Sequence, residues 1–175
     1  IEACLVGSEM CIRDRYDGDH FGETIWAQNS GNIQFTDLFY NGNGLKKDFS
    51  NFIKTVYRLS DGLSIYADLQ LRKIDYVTTG STSNVDELAV DKSYSFFNPK
   101  AGFNYNFNNE NKAYFSVSRA YREPTRSDFE NNLDIQPEEL IDYELGWQFN
   151  NKNLMCSTNF YFMNYKNHLV LTGAL

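Results

Sequence analysis

Apolar and polar residues alternate along most of this chain. In Leu63–Tyr76 the odd-numbered positions are apolar as far as Leu71, and the even-numbered positions carry mainly polar side chains. A period of two separates the two kinds of residue onto opposite faces of a β-strand, whereas an amphipathic helix repeats about every 3.6 residues. The alternation recurs in "FNPKAGFNYNF", "KAYFSVSRAY", "IDYELGWQF" and, more loosely, "LMCSTNFYF". With two earlier strands, near His20–Ala27 and Asp48–Leu59, the pattern predicts about seven strands.

Connections between these strands alternate between short and long. The short ones are rich in Asn and Gly, which tolerate the positive φ angles of tight hairpin turns. They are Ser60–Gly62, Asn108–Asn111 and Asn150–Asn153. The long ones are polar and span residues 28–47, 79–92 and 122–137. Such a meander, with short turns at one end and long loops at the other, is typical of outer-membrane barrels, whose long loops lie outside the cell.

Aromatic residues gather beside the short turns, at Tyr57, Tyr105, Phe107, Trp147 and Phe149. Membrane barrels place girdles of aromatic side chains at this height. The chain contains 12 Tyr and 14 Phe yet has a mean hydropathy of -0.52, as alternating strands would give. A soluble β-sandwich also alternates and would bury the same aromatics in its core, so periodicity alone does not separate the two folds.

The predicted barrel is incomplete. Seven strands cannot close a large barrel, and its two end strands would leave unpaired backbone groups in lipid. The strand over residues 62–78 exceeds the roughly 9–11 residues that cross a membrane, and the chain stops at "LTGAL" without a terminal aromatic strand. We therefore expect a piece of a longer protein, truncated at both ends. Within it, Pro99 lacks a backbone donor and marks an edge, a bulge or a strand start.

The stretch "CLVGSEMCIRDR", Cys4–Arg15, differs in character from everything after it. Cys4 and Cys11 lie seven positions apart with no CxxC pair and no nearby histidine, so the spacing of a zinc site is absent. Charged residues interrupt the apolar run that a secretory signal requires. The stretch resembles a translated transposase adapter oligonucleotide from a sequencing library. We predict that residues 1–15 are adapter-derived and unstructured and that residues 16–175 form the barrel segment; the alternative is a genuine N-terminal arm.

Charge and reactive residues indicate neither an enzyme nor a nucleic-acid-binding protein. The net charge is -7 and no basic cluster occurs, which argues against nucleic acid as a partner. If residues 1–15 are set aside, Cys156 is the one remaining cysteine, and a single cysteine cannot form an internal disulfide. His20 and His168 are single histidines far apart in the sequence, so a metal site is not predicted.

Other polar motifs have simple explanations. Glu138 and Glu139 lie in a polar loop at the start of a strand, where solvation explains them better than acid–base chemistry. Gly42 and Gly44 lack the helix that follows a phosphate-binding loop. The sequence shows no Ser/His/Asp or Cys/His arrangement. We therefore predict no catalytic residue and no cofactor.

Three motifs, "FFNPKAGFNYNF", "SVSRAYREPTRSDF" and "PEELIDYELGWQF", resemble the barrel of TonB-dependent outer-membrane receptors, closest to the Bacteroidetes type. "HFGETIWAQNSGN" and "LSIYADLQLRKIDY" are similar to the same family. The resemblance implies part of a barrel of roughly 22 strands around a plug domain, in the outer membrane of a Gram-negative cell, in contact with lipid and lipopolysaccharide. It also implies TonB-dependent active import of a scarce ligand, typically a ferric siderophore, haem, cobalamin or a glycan.

The resemblance assigns roles to two carboxylates. Family barrels hold glutamates in an "EP" corner and in a "YE-apolar-G" strand that pair with arginines of the plug, and these match Glu123 and Glu144. Glu144 also falls on the polar face of its strand, where a bidentate arginine would satisfy a partly dehydrated carboxylate. The alternative is a solvated carboxylate facing water.

Three arginines cluster around the last long loop: Arg119, Arg122 and Arg126. They are candidates to meet an anionic siderophore or lipopolysaccharide phosphates. The alternative is pairing within the loop, with Asp128 and Glu130.

Two other functions fit the same pattern of strands. One is a smaller porin-like outer-membrane barrel that conducts passively. The other is a soluble secreted β-sandwich that binds glycans or mediates adhesion.

Overall fold

A computed structural model describes residues 5–29, 31–83 and 85–168 of the chain. Within these residues the chain forms one antiparallel sheet of seven strands, each paired with its neighbours in sequence, and one short helix. The elements are β1 (Leu5–Glu23), β2 (Leu38–Arg58), β3 (Leu63–Gly80), β4 (Leu88–Asn106), β5 (Asn111–Arg122), α1 (Arg126–Asn131), β6 (Glu138–Asn150) and β7 (Met155–Lys166). In the part of the chain so described, no helix is long and apolar enough to cross a membrane. The predicted all-β, up-and-down architecture is confirmed.

The early strands are much longer than the late ones. β2, β3 and β4 contain 21, 18 and 19 residues, whereas β5, β6 and β7 contain 12, 13 and 12. The long strands exceed the roughly 9–11 residues that cross a membrane, as predicted for residues 62–78. The first two long connections are shorter than predicted, because β2 begins at Leu38 and β4 at Leu88. Residues there alternate weakly, yet their backbone groups complete the ladders with β1 and β3.

Side-chain acceptors, rather than positive φ angles, stabilise the short turns. Asn108 Oδ1 accepts hydrogen bonds from the backbone N–H groups of Glu110 and Asn111 at 2.9 and 2.8 Å. Asn151 accepts two equivalent bonds in the turn between β6 and β7. The positive φ angles among the described residues lie outside these turns. The turns occur where predicted, but for a different reason: Asn side chains replace a backbone acceptor.

Pro99 stands where a ladder ends. β4 pairs with β5 only from Lys100 to Asn106. On the other side of Pro99, the Asn98 side chain takes over, and its Oδ1 accepts the backbone N–H of Tyr121 at 3.1 Å. Proline cannot donate to a ladder. Of the three predicted possibilities, an edge, a bulge or a strand start, Pro99 occupies the point where the β4–β5 ladder ends while the β3–β4 ladder continues past it.

The two faces of the sheet differ in polarity. Directly paired residues share a face, and the register puts even-numbered residues of β2 to β6 on one face and odd-numbered residues on the other. We call the even face, which carries most of the charged and amide side chains, the inner face. Large apolar residues lie exposed on the odd, outer face: Phe49, Ile53, Ile65, Leu69, Leu71, Phe97, Phe103, Tyr143, Leu145 and Trp147. In a β-sandwich an apolar face packs against a second sheet; in the described residues nothing covers this one.

The connection between β5 and β6, residues 123–137, folds back over the inner face. Its helix α1 inserts Phe129, which is only 1% exposed. Phe129 packs into a small apolar cluster formed by Leu88, Val90, Tyr76 and Ile135. The Phe129 and Tyr76 rings stack with their centroids 6.1 Å apart. The predicted long loop is therefore a structured cover over one end of the polar face.

The N-terminal stretch takes part in the sheet. β1 starts earlier than the predicted strand at His20–Ala27, and residues 5–15 pair with β2 throughout. The expectation that residues 1–15 are unstructured therefore differs from the structure over 5–15, while residues 1–4 lie outside the described part. The physical reason is that a ladder needs only backbone groups, so β2 can pair with almost any extended sequence. Whether the stretch is adapter-derived remains a prediction.

Residues 5–15 also break the polarity of the two faces. Their register puts Arg13 opposite Phe49 and Glu9 opposite Ile53 on the outer face. On β3 the corresponding partner of Ile53 is the apolar Leu69, whereas that of Phe49 is the charged Lys73, so the contrast with β3 rests on Glu9. Like charges also face each other, Arg15 opposite Lys47 and Asp14 opposite Asp48; such pairs are destabilising.

Candidate binding site on the inner face

Four charged side chains meet on the inner face beneath the β5–β6 connection. Arg72 donates to Asp48, with Nε–Oδ1 and Nε–Oδ2 distances of 3.1 and 3.0 Å and an Nη2–Oδ2 distance of 2.5 Å. Arg72 also donates to Glu123, from Nη1 to Oε2 at 2.9 Å and from Nη2 to Oε1 at 3.1 Å. Lys46 Nζ donates to Glu123 Oε1 at 2.5 Å. We call these four residues the Glu123 network.

Strand register explains how the network forms. Lys46 and Asp48 occupy successive inner-face positions of β2, and Arg72 lies on β3 opposite Ser50. The side chains of the network are 12% to 32% exposed. Largely buried charges need partners, and here two cations balance two carboxylates. The network therefore satisfies itself while joining Glu123 to two strands far away in sequence.

Glu123 lies in the connection beyond the end of β5, and its carboxyl is tuned by opposing effects. Burial raises the pKa, because the charged form loses water. The hydrogen bond from Lys46, a backbone hydrogen bond and the positive charges of Arg72 and Lys46 lower it. The lowering effects prevail, so the pKa of Glu123 lies below its ordinary value and the network holds it ionised.

Glu144 has a different environment. It lies half-buried on the inner face of β6, opposite Ser116 on β5 and Tyr161 on β7. Its neighbour Tyr114 is close enough to hydrogen-bond to it. In the described part of the chain no Lys, Arg or His forms an ion pair with Glu144. The predicted orientation is present, with Leu145 exposed on the opposite face.

Asp142 lies two residues before Glu144 on the same face, and no sequence motif marks it as a site residue. It is 8% exposed. Its Oδ1 atom is buried and has no hydrogen-bond partner among the described residues. Its lateral neighbours across the ladders are Ser118 and Met163. Asp142 and Glu144 together place two carboxylates on one face of β6, and neither forms an ion pair with another residue that the structure describes.

The three predicted arginines do not form one cluster. Arg119 pairs with Glu139 at 2.8 Å and lies over the Tyr121 ring, 4.7 Å from its centroid. Arg122 pairs with Glu138 at 3.5 Å. Neither pairing is the expected one with Asp128 or Glu130, because the register puts Arg122 directly opposite Glu138 and puts Arg119 diagonally across from Glu139 on the same face.

Arg126 is held differently. Its Nη1 donates to Thr78 Oγ1 at 2.5 Å and its Nη2 to the Ser81 carbonyl oxygen at 3.3 Å. Among the described residues it forms no ion pair within 4 Å. Together with Lys46 and Arg122 it lines a cavity of about 280 Å³ whose remaining walls are Tyr76, Glu123, Pro124 and Thr125. Of the three predicted arginines, only Arg126 keeps a guanidinium without a carboxylate.

The remaining candidates are separated by the fold. His20 lies on β1 and His168 follows β7, at opposite edges of the sheet, and each has a local partner, Tyr16 and Glu138 respectively. No group of three or more His, Cys, Asp or Glu side chains suited to a metal occurs in the described ranges. Gly42 is a strand residue whose missing Cβ leaves room for the Thr79 carbonyl oxygen, 2.6 Å from where a Cβ would lie.

Sequence reasoning missed the cations that hold Glu123. The sequence pattern places Lys46 in the predicted connection 28–47 and Arg72 at a polar position of the strand over residues 62–78. The available signal was the alternation of faces along a strand. Lys46, Asp48 and Arg72 are all even-numbered, so they fall on the inner face once β2 is extended towards Leu38. Asp142 carried a similar signal, because it shares parity with Glu144.

Comparison with solved structures finds the same fold in ferric-siderophore import and uptake receptors. The chain superimposes on the closed form of the ferric-catecholate import receptor Fiu of E. coli K12 with a TM-score of 0.69, 15% identity and coverage of 93% of this chain and 29% of that one. The open form gives 0.68, 14%, 94% and 28%. The ferric yersiniabactin uptake receptor FyuA of Yersinia pestis gives 0.61, 15%, 94% and 26%. The chain thus spans less than a third of these receptors.

The family assignment rests on the sequence itself. No curated protein matches the chain significantly. The family model described as "TonB dependent receptor-like, beta-barrel" matches residues 12–175, which is nearly the whole chain. The chain belongs to the TonB-dependent receptor-like β-barrel family.

Proposed function

We propose that this chain is a barrel segment of an outer-membrane receptor that imports a scarce ligand by TonB-dependent active transport. The family match over residues 12–175 carries this proposal. The sheet supports it, because its apolar outer face suits lipid and its polar inner face suits an aqueous or protein-filled interior. The rest of the receptor, with its plug domain and its link to TonB, would lie outside this chain.

The ligand class that we favour is a ferric siderophore. Two structurally similar proteins, Fiu and FyuA, are named as receptors for ferric catecholates and ferric yersiniabactin. Haem, cobalamin and glycans are the other candidates. Arg126 is the best placed of the predicted ligand contacts, because Arg119 and Arg122 already pair with Glu139 and Glu138. Lipopolysaccharide phosphates are the second candidate for the same cations.

Glu144 is the stronger of the two proposed plug contacts. It is half-buried on the inner face without an ion pair, so an arginine of the plug would complete its environment. Glu123 already accepts two hydrogen bonds at Oε1 and one at Oε2. A carboxylate offers about four acceptor positions, so Glu123 has room for one further donor and would share a plug arginine with its own network.

The two other functions are less well supported. A sandwich would need a second sheet over the exposed apolar face, and the described residues form a single sheet. A passive porin would not belong to the family that the sequence matches.

Uptake measurements on the full-length receptor test the proposal. Cells that express the receptor in an outer membrane lacking other siderophore receptors should accumulate radiolabelled ferric siderophore, and accumulation should stop when TonB is deleted or the proton-motive force is collapsed. Glu144→Gln should reduce retention of the plug and uptake, whereas Glu110→Gln, in an exposed short turn, should not. Accumulation that continues without TonB would point to a passive barrel.

We also propose that Cys4–Arg15 is adapter-derived. The support is physical: Arg13 and Glu9 lie on the face that suits lipid, and Arg15 and Asp14 oppose like charges. A membrane strand puts apolar residues on that face. Long-read sequencing of the source DNA should show a different sequence upstream of Tyr16, with apolar residues at the positions now held by Glu9, Cys11 and Arg13. Recovery of Cys4–Arg15 in the genomic reading frame would refute the proposal.

A further inference from the structure

The sheet has a gap between the upper halves of β4 and β5, the ends away from the short turns. β4 begins at Leu88, yet it pairs with β5 only from Lys100 to Asn106. Above Lys100 the contact is made by a side chain, because Asn98 Oδ1 accepts the backbone N–H of Tyr121 at 3.1 Å. The two strands therefore part above Lys100, and side chains take over from the ladder.

Aromatic rings close the gap and leave a notch on the outer face. The Phe96 and Tyr121 rings stack with their centroids 5.2 Å apart and their planes 7° apart. Outside this stack lies a cavity of about 410 Å³, whose walls include Phe97, Arg119 and Glu139. These three residues have odd numbers and so belong to the apolar outer face, on which Phe97 is 47% exposed. We call this cavity the outer notch.

Cations mark the height of the outer notch. Going up β3 from the short turn, the outward-facing Leu71 is followed by Lys73, and on β5 Val117 is followed by Arg119. On β7, Lys166 lies near the same height, directly across from the glutamate of the notch. All three cations are exposed. Cations at the edge of an apolar membrane face attract anionic lipid headgroups.

Arg119 is positioned to bind a second anion. Its Nε donates to Glu139 at 2.8 Å, and its guanidinium lies over the Tyr121 ring, 4.7 Å from the ring centroid. The bond to Glu139 uses Nε alone, which leaves Nη1 and Nη2 for another acceptor. A guanidinium presents its remaining donors in a planar fork that matches a phosphate.

The other charges at this height leave an excess of positive charge. Lys73 and Lys166 form no ion pair within 4 Å with another residue that the structure describes. Asp75 accepts a hydrogen bond from Ser93 Oγ at 2.6 Å and lies opposite Lys47. The notch therefore combines an aromatic wall with exposed cations around its rim.

We propose that the outer notch binds the phosphorylated glycolipid of lipopolysaccharide, with an acyl chain over Phe97 and Tyr121 and a phosphate on Arg119. Two observations favour a lipid over a protein partner: the notch is continuous with the apolar outer face below it, and the charge of its rim complements a phosphate. The proposal rests on the function proposed above, because an outer-membrane location supplies this lipid. It goes beyond that function, because Arg119 then acts outside the path of import.

Photocrosslinking in vesicles of known composition tests the notch. Full-length receptor carries a photoreactive benzoylphenylalanine in place of Phe97 or, as a control on the same face near a short turn, in place of Ile65. The vesicles contain phosphatidylethanolamine with lipid A as the minor component. The probe at position 97 should capture lipid A over phosphatidylethanolamine about tenfold more strongly than the probe at position 65, the ratio that one hydrogen bond to a charged group gives. Equal capture at the two positions would overturn the proposal.

Substitutions around the notch give effects of opposite sign. Arg119→Gln should abolish the enrichment of lipid A at position 97, whereas Glu139→Gln should increase it, because the guanidinium loses its competing carboxylate. Lys152→Gln, in an exposed short turn, should leave it unchanged. If the ion pair only stabilises the wall, Glu139→Gln should not increase capture, and this result would contradict the proposal. Should Arg119→Gln fail to assemble, Lys73→Gln and Lys166→Gln serve in its place, and each should reduce the enrichment.

Changes in the probe lipid identify the occupant. Lipid A without its phosphates keeps the acyl chains and should lose the enrichment. Inorganic phosphate added to the vesicles should not compete, because it lacks the chains. Retained enrichment of the dephosphorylated lipid, competition by inorganic phosphate, or capture of a protein instead of lipid would each refute the assignment.

Failure of the notch and failure of the proposed function give different results. Normal TonB-dependent uptake together with equal capture at positions 97 and 65 would remove the notch and leave the import function intact. Uptake that continues without TonB, with lipid A still enriched at position 97, would remove the function and leave the lipid site.

Discussion

The inner face holds two acidic regions that differ in how their charge is balanced. In the Glu123 network, Asp48 and Glu123 are matched by Lys46 and Arg72 of the same sheet. At the other region, Asp142 and Glu144 lie three strands away from β3 with no cation in the described chain beside them. Each region contains one aspartate and one glutamate.

The difference indicates two purposes for buried carboxylates. A network that is complete within the chain fixes the chain's own structure, and here it fastens the β5–β6 connection to β2 and β3. Glu144, which forms no ion pair in the described chain, is the carboxylate that we propose contacts the plug. Substitutions in the first region should therefore loosen residues 123–137, whereas substitutions in the second should loosen what lies inside the barrel.

The largest effect is expected from the apolar anchor of the first region. Phe129→Ala removes a ring that is 1% exposed and packed on Leu88 and Val90, and such truncations cost about 3–5 kcal/mol. Hydrogen exchange of amides in residues 123–137 should accelerate by more than a hundredfold in the full-length receptor. Leu133→Ala, in the same connection but 54% exposed, is the control and should change little. Equal effects of the two variants would mean that the cover is not anchored by packing.

Removing the central cation should have the next largest effect. Arg72→Met keeps the bulk of the side chain but leaves Asp48 without an ion pair and Glu123 with Lys46 alone. Breaking a largely buried pair costs about 2–4 kcal/mol at this degree of exposure. The same exchange measurement should detect faster opening of residues 123–137 in Arg72→Met. The control Arg58→Met, at the exposed end of β2, should leave this opening unchanged. An unchanged connection would show that Phe129 alone holds it.

Glu123→Gln should have a smaller effect that depends on pH. The pKa of Glu123 is lowered, with burial opposing ionisation and Lys46, a backbone hydrogen bond and Arg72 prevailing over it. A carboxyl with a lowered pKa stabilises the fold above its unfolded pKa of about 4.3, and this stabilisation is lost as pH falls through the folded pKa. At pH 7 the variant should open its connection more easily, by about 1–2 kcal/mol.

The pH series supplies the internal control. As the pH is lowered below about 4, the β5–β6 connection of the wild type should open more easily, and its exchange rate should approach that of Glu123→Gln. The other charged groups around Glu123 are Lys46, Asp48, Arg72, Arg122 and Arg126. If the difference in exchange rate of residues 123–137 between wild type and Glu123→Gln stays constant from pH 7 to pH 3, ionisation of Glu123 is not its cause.

Much of the fold could be predicted because strand alternation is local. β3, β5 and β6 lie within a few residues of the predicted strands, since their apolar and polar positions alternate cleanly. The extensions of β2 and β4 were missed because "NGNGLKKD" and its neighbours are polar on both faces, and only pairing with an adjacent strand makes them extended. α1 was missed although "TRSD" fits a capping box, with Thr125 N–H donating to Asp128 Oδ2 at 2.8 Å.

The candidate site was less predictable because partners are set by register. Parity alone put Glu144 on the inner face. It could not put Arg72 beside Glu123, since that contact joins residues 51 positions apart through a folded-back connection. The pairing of Arg119 and Arg122 with glutamates of β6 follows from one register between two strands, which no single strand encodes.

Glu144→Gln should have the smallest effect on the β5–β6 connection, and this makes it the sharpest test of the comparison. Glu144 forms no ion pair in the described chain, so its loss should change opening of residues 123–137 by less than about 0.5 kcal/mol. Its effect should appear instead as faster exchange of the segment inside the barrel. Glu123→Gln should show the opposite pattern, with a loosened connection and a smaller change inside. If both variants loosen both regions equally, the two acidic regions form one coupled site, because independent sites more than about 10 Å apart give additive, separable effects.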